Sequence, residues 1–508
     1  MLPTSSLGRL RETLKRPFDT MLLLAAVLLA VFALQAFSSG HVRSDLLLVT
    51  GVSTERAPQA DYYQMWSVGA LTVSHEDIYS DAARQELGRL IQAEAQVQGS
   101  SPREVWASNY WPVAQTTGTP FIYALLGIVQ TGDFELDSTL FEIISLAALA
   151  GSLLWLCRRL GYGRARGLLL LGVVAATSEP LFMDLGWGNV NSLQVAMLTG
   201  YLVLRSGTPN SGRQIAAGVL LGIAILFKPN LALVVPLLAL ELILSRRWRD
   251  GAVQMGGLAI AGLVALIITE ARFGSLAEWA GWIAALSSLG PHYIAAGYSV
   301  PATILMFLGY GTAHQAQAPV LSVLIIVIGL GATIAALVRG RAARGPVTLV
   351  APVASVAPGS GDPDASNDSA EERRWGREAI IIGVAVAIML IGSPFTWNHY
   401  FLLLTPLVVV LLRPQAGEIG GTRCVGFRQL AAASAVFLMS AAPAEVFGSQ
   451  WDPVPYLVCL AGAAVILLVV ALLELSARAG SQGRPAGAQR RARPVARPTS
   501  VGEATGSP

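Results

Sequence analysis

Charge is what this 508-residue chain has least of: Asp, Glu, Lys and Arg together make up 13% of it, against about a quarter in ordinary soluble domains. With 53% hydrophobic residues, that deficit excludes a soluble globular protein. Excess basic charge is missing too. A net charge of +3 gives no grip on a polyphosphate backbone, so nucleic acid is not an expected partner. Cysteine is scarce: Cys157, Cys424 and Cys459 show neither CxxC nor Cys/His spacing, which supports neither a disulfide framework nor a zinc site. The apolar runs also lack midplane charge, with Glu142, Glu241 and Glu270 near their ends and no internal repeat. Both absences count against the competing class, a polytopic transporter or lipid-linked sugar flippase.

What is present reads as an all-α polytopic membrane protein, because apolar stretches able to cross ~30 Å of hydrocarbon recur along most of the length. Arg9, Arg11, Lys15 and Arg16 precede the first run at about 20–38. The run fits a signal peptide in outline, but its length and the many runs after it favour an uncleaved span with a cytoplasmic N-terminus. From there the positive-inside bias sets the register. RRLGYGRAR, SRRWR, RGRAAR and the arginine-rich tail all fall inside, giving about twelve spans with both termini cytoplasmic. The parse gives a cytoplasmic N-terminus (1–19), a membrane module (20–338) with a long first external loop (39–138), a flexible cytoplasmic linker (339–378), C-terminal spans (379–475) and a basic disordered cytoplasmic tail (476–508). Within the external loop, DAARQELGRLIQAEAQVQ has the apolar spacing of a surface helix. FIYALLGIVQ is too short to cross comfortably and reads as an interfacial helix.

The polar islands fall on the opposite side from the arginines: Asp61, Asn189 and Asn191, Lys228, His292, and Asn398–His399. Residues from distant parts of the chain facing one compartment make a single external active site the simplest account. Each has a plainer alternative when taken alone. Asp61 in PQADYYQ fits an ordinary solvated loop aspartate, and asparagines at an outer helix end, as in GWGNVN, are often N-caps. Lys228 opposes the orientation bias and calls for an anionic group, or snorkels to lipid phosphate. His292 in GPHY fits an interfacial histidine, and the Glu76–Asp77 pair fits simple solvation.

In order along the chain, an Asp-Tyr-Tyr after the first span, YWPVAQTTGTPFIYALLGIV, G-N-V-N, AAGVLLGIAILFKPN, RRWR and WNHYFLLLTPL resemble glycosyltransferase family 87, over roughly residues 55–412. Two places depart from the family pattern: Gly188-Asn189-Val190-Asn191 stands where G-Q-x-N is usual, and the segment 290–305 lacks an Asn-x-Ser. The resemblance implies a GT-C fold and a hexosyltransferase in the cell membrane, with its site on the extracytoplasmic, periplasmic side. A polyprenyl-phosphate-linked sugar, usually mannose, would be the donor and a glycolipid or polysaccharide the acceptor, among membrane lipids and with no cofactor or metal. It implies Asp61 as the general base. Lys228, His292 and His399 would stabilise the phosphate leaving group. Asn189 and Asn191 would orient sugar or phosphate, and Tyr62 and Tyr63, with the Trp106–Trp111 patch, would offer faces to a sugar ring.

Overall fold

The computed structural model describes residues 59–71, 78–96, 100–114, 116–206, 210–288, 300–308, 318–342, 363–393, 396–413, 426–440 and 454–477. The first apolar run, the Glu76–Asp77 pair, His292, residues 343–362 and the tail from 478 lie outside them. Among the described residues the fold is all helical, with no strand and a single isolated bridge between Ser178 and Ser440.

The chain enters with α1 (Ala60–Leu71), and two short capped helices follow. In the first, Asp81–Ala95, the Ser80 hydroxyl accepts from Ala83 N and Leu87 and Ile91 are buried one turn apart, as the surface-helix reading expects. The second, Pro102–Tyr110, starts with a reciprocal capping box between Ser101 and Glu104. Then α2 (Pro120–Val129), with proline in its first turn, crosses α1. These elements and Phe134 build a small aromatic core of their own around Tyr62, Tyr63, Trp66, Ile78, Ile91 and Tyr123.

The main bundle starts with α3 (Phe134–Arg159), capped by Asp133 and ending in two arginines. It continues through α4 (Glu179–Trp187), α5 (Asn191–Arg205), α6 (Ser211–Phe227), α7 (Val234–Leu244), α8 (Trp248–Phe273), α9 (Ala318–Ala342), α10 (Pro363–Gly392) and α11 (Val454–Ala477). Among the described residues, five helices are long and apolar enough to cross a bilayer: α3, α8, α9, α10 from Trp375, and α11. The window of α10 is wholly buried, whereas those of α8 and α9 are 22% buried. A helix apolar all round therefore forms the middle of the bundle, and α8 and α9 turn exposed Leu, Ile and Val outward as a lipid-facing surface does. Several stretches expected to span are shorter, among them α6, Pro229–Leu244 and Asn398–Leu411. Pro229 breaks the first two apart, and the last opens as a 3₁₀ segment, Asn398–Leu404.

The segment read as a solvated linker up to residue 378 becomes helical at Pro363, and Trp375, Arg377 and Glu378 are buried. Ion pairs account for this. Glu378 accepts from Arg205 at 2.6 Å and from Arg247 at 3.4 Å, and Arg377 donates to Glu241 at 2.6 Å. Removing one partner of such a pair strands a buried charge, which typically costs ~3–5 kcal/mol. These pairs lock α10 to α5, α7 and the α7–α8 turn.

Helices α6 and α8 pack closely. A Cβ on Gly218 would fall on the backbone carbonyl of Gln254 and sit 3.0 Å from the Cα of Gly257. Small residues at such a crossing let helices pack backbone to backbone, and this one aligns the end of α6, where Lys228 follows. Gly218→Ala should therefore lower stability by about 1–3 kcal/mol. Gly256→Ala, where nothing lies within 4 Å of the added carbon, should leave it unchanged or raise it. Thermal unfolding of the two purified variants separates close approach from a general glycine effect; equal shifts would refute the packing argument.

Candidate active site

The turn between α4 and α5 sets the site. Asp184 is fully buried and accepts from Asn191 N (3.2 Å), Asn191 Nδ2 (2.8 Å), Ser192 N (2.9 Å) and Ser192 Oγ (2.6 Å). It thus satisfies donors at the start of α5 that the helix itself leaves open. Between the helices Gly188 adopts the left-handed conformation, φ 69°. A side chain there would also meet the Tyr62 Cβ at 2.5 Å. The start of α1 thus rests directly on this turn, and Gln59 N donates to the Gly186 carbonyl at 3.0 Å. The Trp111 indole donates to the Ala60 carbonyl at 2.7 Å. At the far end of α1, Arg272 donates to the Gly69 and Ala70 carbonyls, a cation against a helix C-terminus.

Pinned at both ends, α1 presents Asp61 from its first turn. Asn189 Nδ2 donates to Asp61 Oδ2 at 2.7 Å, and Lys228 Nζ donates to Asn189 Oδ1 at 2.9 Å. Only one orientation of the amide serves both neighbours, because the ammonium can only donate and the carboxylate only accept. Val190 N and Asn191 Nδ2 also reach Asn189 Oδ1, at 3.0 and 3.3 Å. Lys228 lies 4.1 Å from the centre of the Tyr400 ring, so it turns inward rather than to lipid. Gln194 holds the backbone beneath it, donating to the carbonyls of Ala224 and Lys228 and to Asn230 Oδ1.

Asp61, Asn189, Lys228 and His399 line one cavity, with aromatic walls from Trp111, Tyr123, Phe227, Trp397 and Tyr400. Its volume of about 90 Å³ is below the ~300 Å³ at which pockets for whole drug-sized ligands begin. A cavity of that size has room for part of a substrate rather than the whole of one. His399 is buried, stacks on Trp397 with ring centroids 6.2 Å apart, and has no protein partner on either ring nitrogen. Buried polar atoms are normally satisfied, so those nitrogens are available to whatever enters.

The electrostatics follow from enclosure. Burial pushes the Asp61 carboxyl up to about 6, with Lys228 and the Asn189 hydrogen bond opposing. Burial lowers Lys228 to about 8, against the pull of Asp61 and Asp184. At neutral pH the cavity therefore holds a carboxylate and an ammonium, both close to the pH at which each changes state.

The structure thus brings together Asp61, Asn189, Lys228 and His399. It does not bring Tyr62 and Tyr63 to the cavity: both are buried in the aromatic core, against Phe141 and Phe134 respectively. Asn191 is fully buried behind Asn189 and engaged with Asp184. His292 lies outside the described residues. Sequence reasoning missed Asp184, Gln194 and Tyr400. Asn191 and Gln194 carry the available signal, two amides three residues apart on one face of an otherwise apolar helix.

No curated protein and no solved structure matches the chain. The model of glycosyltransferase family 87 matches residues 117–357. That stretch includes Asn189, Asn191 and Lys228, while Asp61 and His399 lie on either side of it. Over that stretch, just under half of the chain, the sequence is similar to glycosyltransferase family 87, a family of enzymes that transfer sugar, and the match supports such an enzyme here.

Proposed function

We propose that this membrane protein is an inverting glycosyltransferase that moves a hexose, mannose being the family's usual sugar, from a polyprenyl-phosphate donor. The acceptor is a glycolipid or polysaccharide hydroxyl at the extracytoplasmic face, and Asp61 is the general base. One observation carries the reading: a carboxylate and an ammonium from distant segments face one cavity, joined by the Asn189 amide at 2.7 and 2.9 Å. Proton acceptance and anion stabilisation are the two functions this transfer needs, and they stand side by side.

The acceptor oxygen attacks the anomeric carbon from the face opposite the phosphate. As the new C–O bond forms, its proton passes to Asp61. The bond to the phosphate oxygen breaks and its electron pair leaves with the polyprenyl phosphate. Lys228 and His399 meet that growing negative charge inside a poorly solvated cavity, where such contacts act most strongly. Asn189 holds the base and the cation in register, and the aromatic walls face the sugar ring. The twelve-span topology with cytoplasmic termini belongs to the same reading. It is supported by the site lying at one end of the bundle and the ion-paired Arg205, Arg247 and Arg377 at the other.

Membranes carrying wild type or Asp61→Asn, given polyprenyl-phospho-mannose and a lipid extract as acceptor, test the central role. The variant should fall by about 100-fold or more at equal expression; equal transfer would remove Asp61 from the chemistry. Lys228→Gln should cost about 100- to 1,000-fold in kcat, and an effect on KM alone would reassign the lysine to ground-state binding.

The pH profile follows with its signs. Asp61 works only ionised, and its carboxyl is raised by burial to about 6, so the rate falls as pH drops through that value. Lys228 works only protonated, and burial lowers it to about 8, so the rate falls as pH rises through that value. The profile of kcat/KM should be a bell whose arms are the apparent values of the coupled pair. A rate flat across both would exclude these two groups.

A further inference from the structure

At the end of the bundle away from Asp61, an apolar groove opens between α6, α7 and α8. Leu221, Leu238, Ala239, Trp248, Met255 and Leu258 line it. Its volume of about 270 Å³ is at the small end of ligand pockets, ~300 Å³. Its one polar wall residue, Gln254, is engaged with Tyr201 and Gln214, so the groove offers hydrocarbon contact alone. Trp248 and Arg272 are both on α8 and stand ~36 Å apart at 1.5 Å per residue, more than the ~30 Å of a bilayer core. Arg272 grips the helix that carries Asp61. The groove mouth at Trp248 therefore belongs to the opposite leaflet and is separate from the candidate active site.

The mouth is basic in a particular way. Helix α7 closes with Arg246 N donating to Ile243 O and Arg247 N donating to Leu242 O, the paired bonds of a Schellman turn. The residue at the left-handed position of that turn is Arg246, φ 58°, where glycine is favoured. Departures of this kind concentrate where a side chain has work to do. Arg247 is committed to Asp250 at 2.5 Å and to Glu378 at 3.4 Å, which also neutralises the acid in the first turn of α8. Arg246 and Arg249 are exposed, with no acidic partner among the described residues. The Arg249 guanidinium lies 5.4 Å from the centre of the Trp248 ring, and Trp248 is 60% exposed. The start of α8 beside the mouth has no side-chain cap, so no cap side chain takes up its first N–H groups.

We propose that this groove is a binding site for an anionic phospholipid, with one acyl chain between α6, α7 and α8 and its phosphate against Arg246, Arg249 and the first turn of α8. An alkyl chain suits a groove that offers no hydrogen bond. An anionic head suits two unpaired guanidiniums and an aromatic ring at interfacial depth. The orientation bias alone would place arginines in this turn, but it would require neither a left-handed arginine nor a chain-sized apolar groove beneath it. The proposal rests on the chain crossing a bilayer and is independent of the sugar chemistry.

The test uses the full chain in nanodiscs of phosphatidylcholine with increasing phosphatidylglycerol, one of the two lipids carrying brominated acyl chains that quench nearby tryptophan. Subtracting Trp248→Phe isolates the signal of Trp248. Brominated phosphatidylglycerol should quench it at a lower mole fraction than brominated phosphatidylcholine. That preference should fall about fivefold for each arginine removed in Arg246→Gly and Arg249→Gln. Arg246→Gly relaxes the turn, so its loss of preference cannot be put down to misfolding. Ala239→Phe, which fills the groove, should abolish the preference between the two lipids. Equal quenching by the two lipids in the wild type, or an undiminished preference in the double arginine variant, would overturn the site.

Discussion

One amide holds the candidate site together. In an enclosed cavity a lysine and an aspartate in direct contact would form an ion pair, with the carboxylate blocked and the cation spent. With Asn189 between them, each charge makes one charge-assisted hydrogen bond, 2.7 Å on one side and 2.9 Å on the other. Each keeps other hydrogen-bonding positions free: lone pairs on the carboxylate, N–H groups on the ammonium. The two charges stabilise one another enough to persist in the cavity and remain open to a substrate.

The amide can do this only if its own position is fixed, and the backbone beneath it is built to fix it. Asp184 collects four donors from Asn191 and Ser192, Gly188 turns the chain, and Gln194 fastens the far end of α6 under Lys228. At the other end of the bundle the Arg205–Glu378–Arg247 and Arg377–Glu241 pairs tie α10 to its neighbours. A cavity held by helix ends, rather than by a long loop, keeps the precision that transfer chemistry demands.

Much of this was legible in the sequence and some of it could not have been. The one-sided distribution of polar islands picks out Asp61, Asn189, Lys228 and His399, because water-facing polar groups and lipid-facing spans separate strongly along a membrane chain. It cannot resolve which neighbour faces which way. On a helix, successive residues point ~100° apart, and those three and four positions on share a face. Asp61 therefore reaches the cavity with Gln64 and Met65, while Tyr62 and Tyr63 turn into the core. The charged run EERRWGR reads as solvated for a related reason: the partners of Arg377 and Glu378 are 136 and 173 residues away, and no local window holds them.

Asp61 lies outside the stretch that matches the family, yet its placement is decided inside it. Asp61 is oriented by Asn189, its helix starts on the Gly186 carbonyl through Gln59, and Tyr62 rests on Gly188. The turn from Asp184 to Asn191 therefore specifies where α1 begins, what the carboxylate faces and how far it stands from Lys228. A substitution in this turn would move Asp61 without touching it. Asn189 falls at this point. Its side chain is one methylene shorter than a glutamine's, so α1 and Lys228 must both lie close to the turn, and the Gly188 contact with Tyr62 supplies that closeness on the α1 side. The size of the residue at 189 and the absence of a side chain at 188 are thus two parts of one constraint.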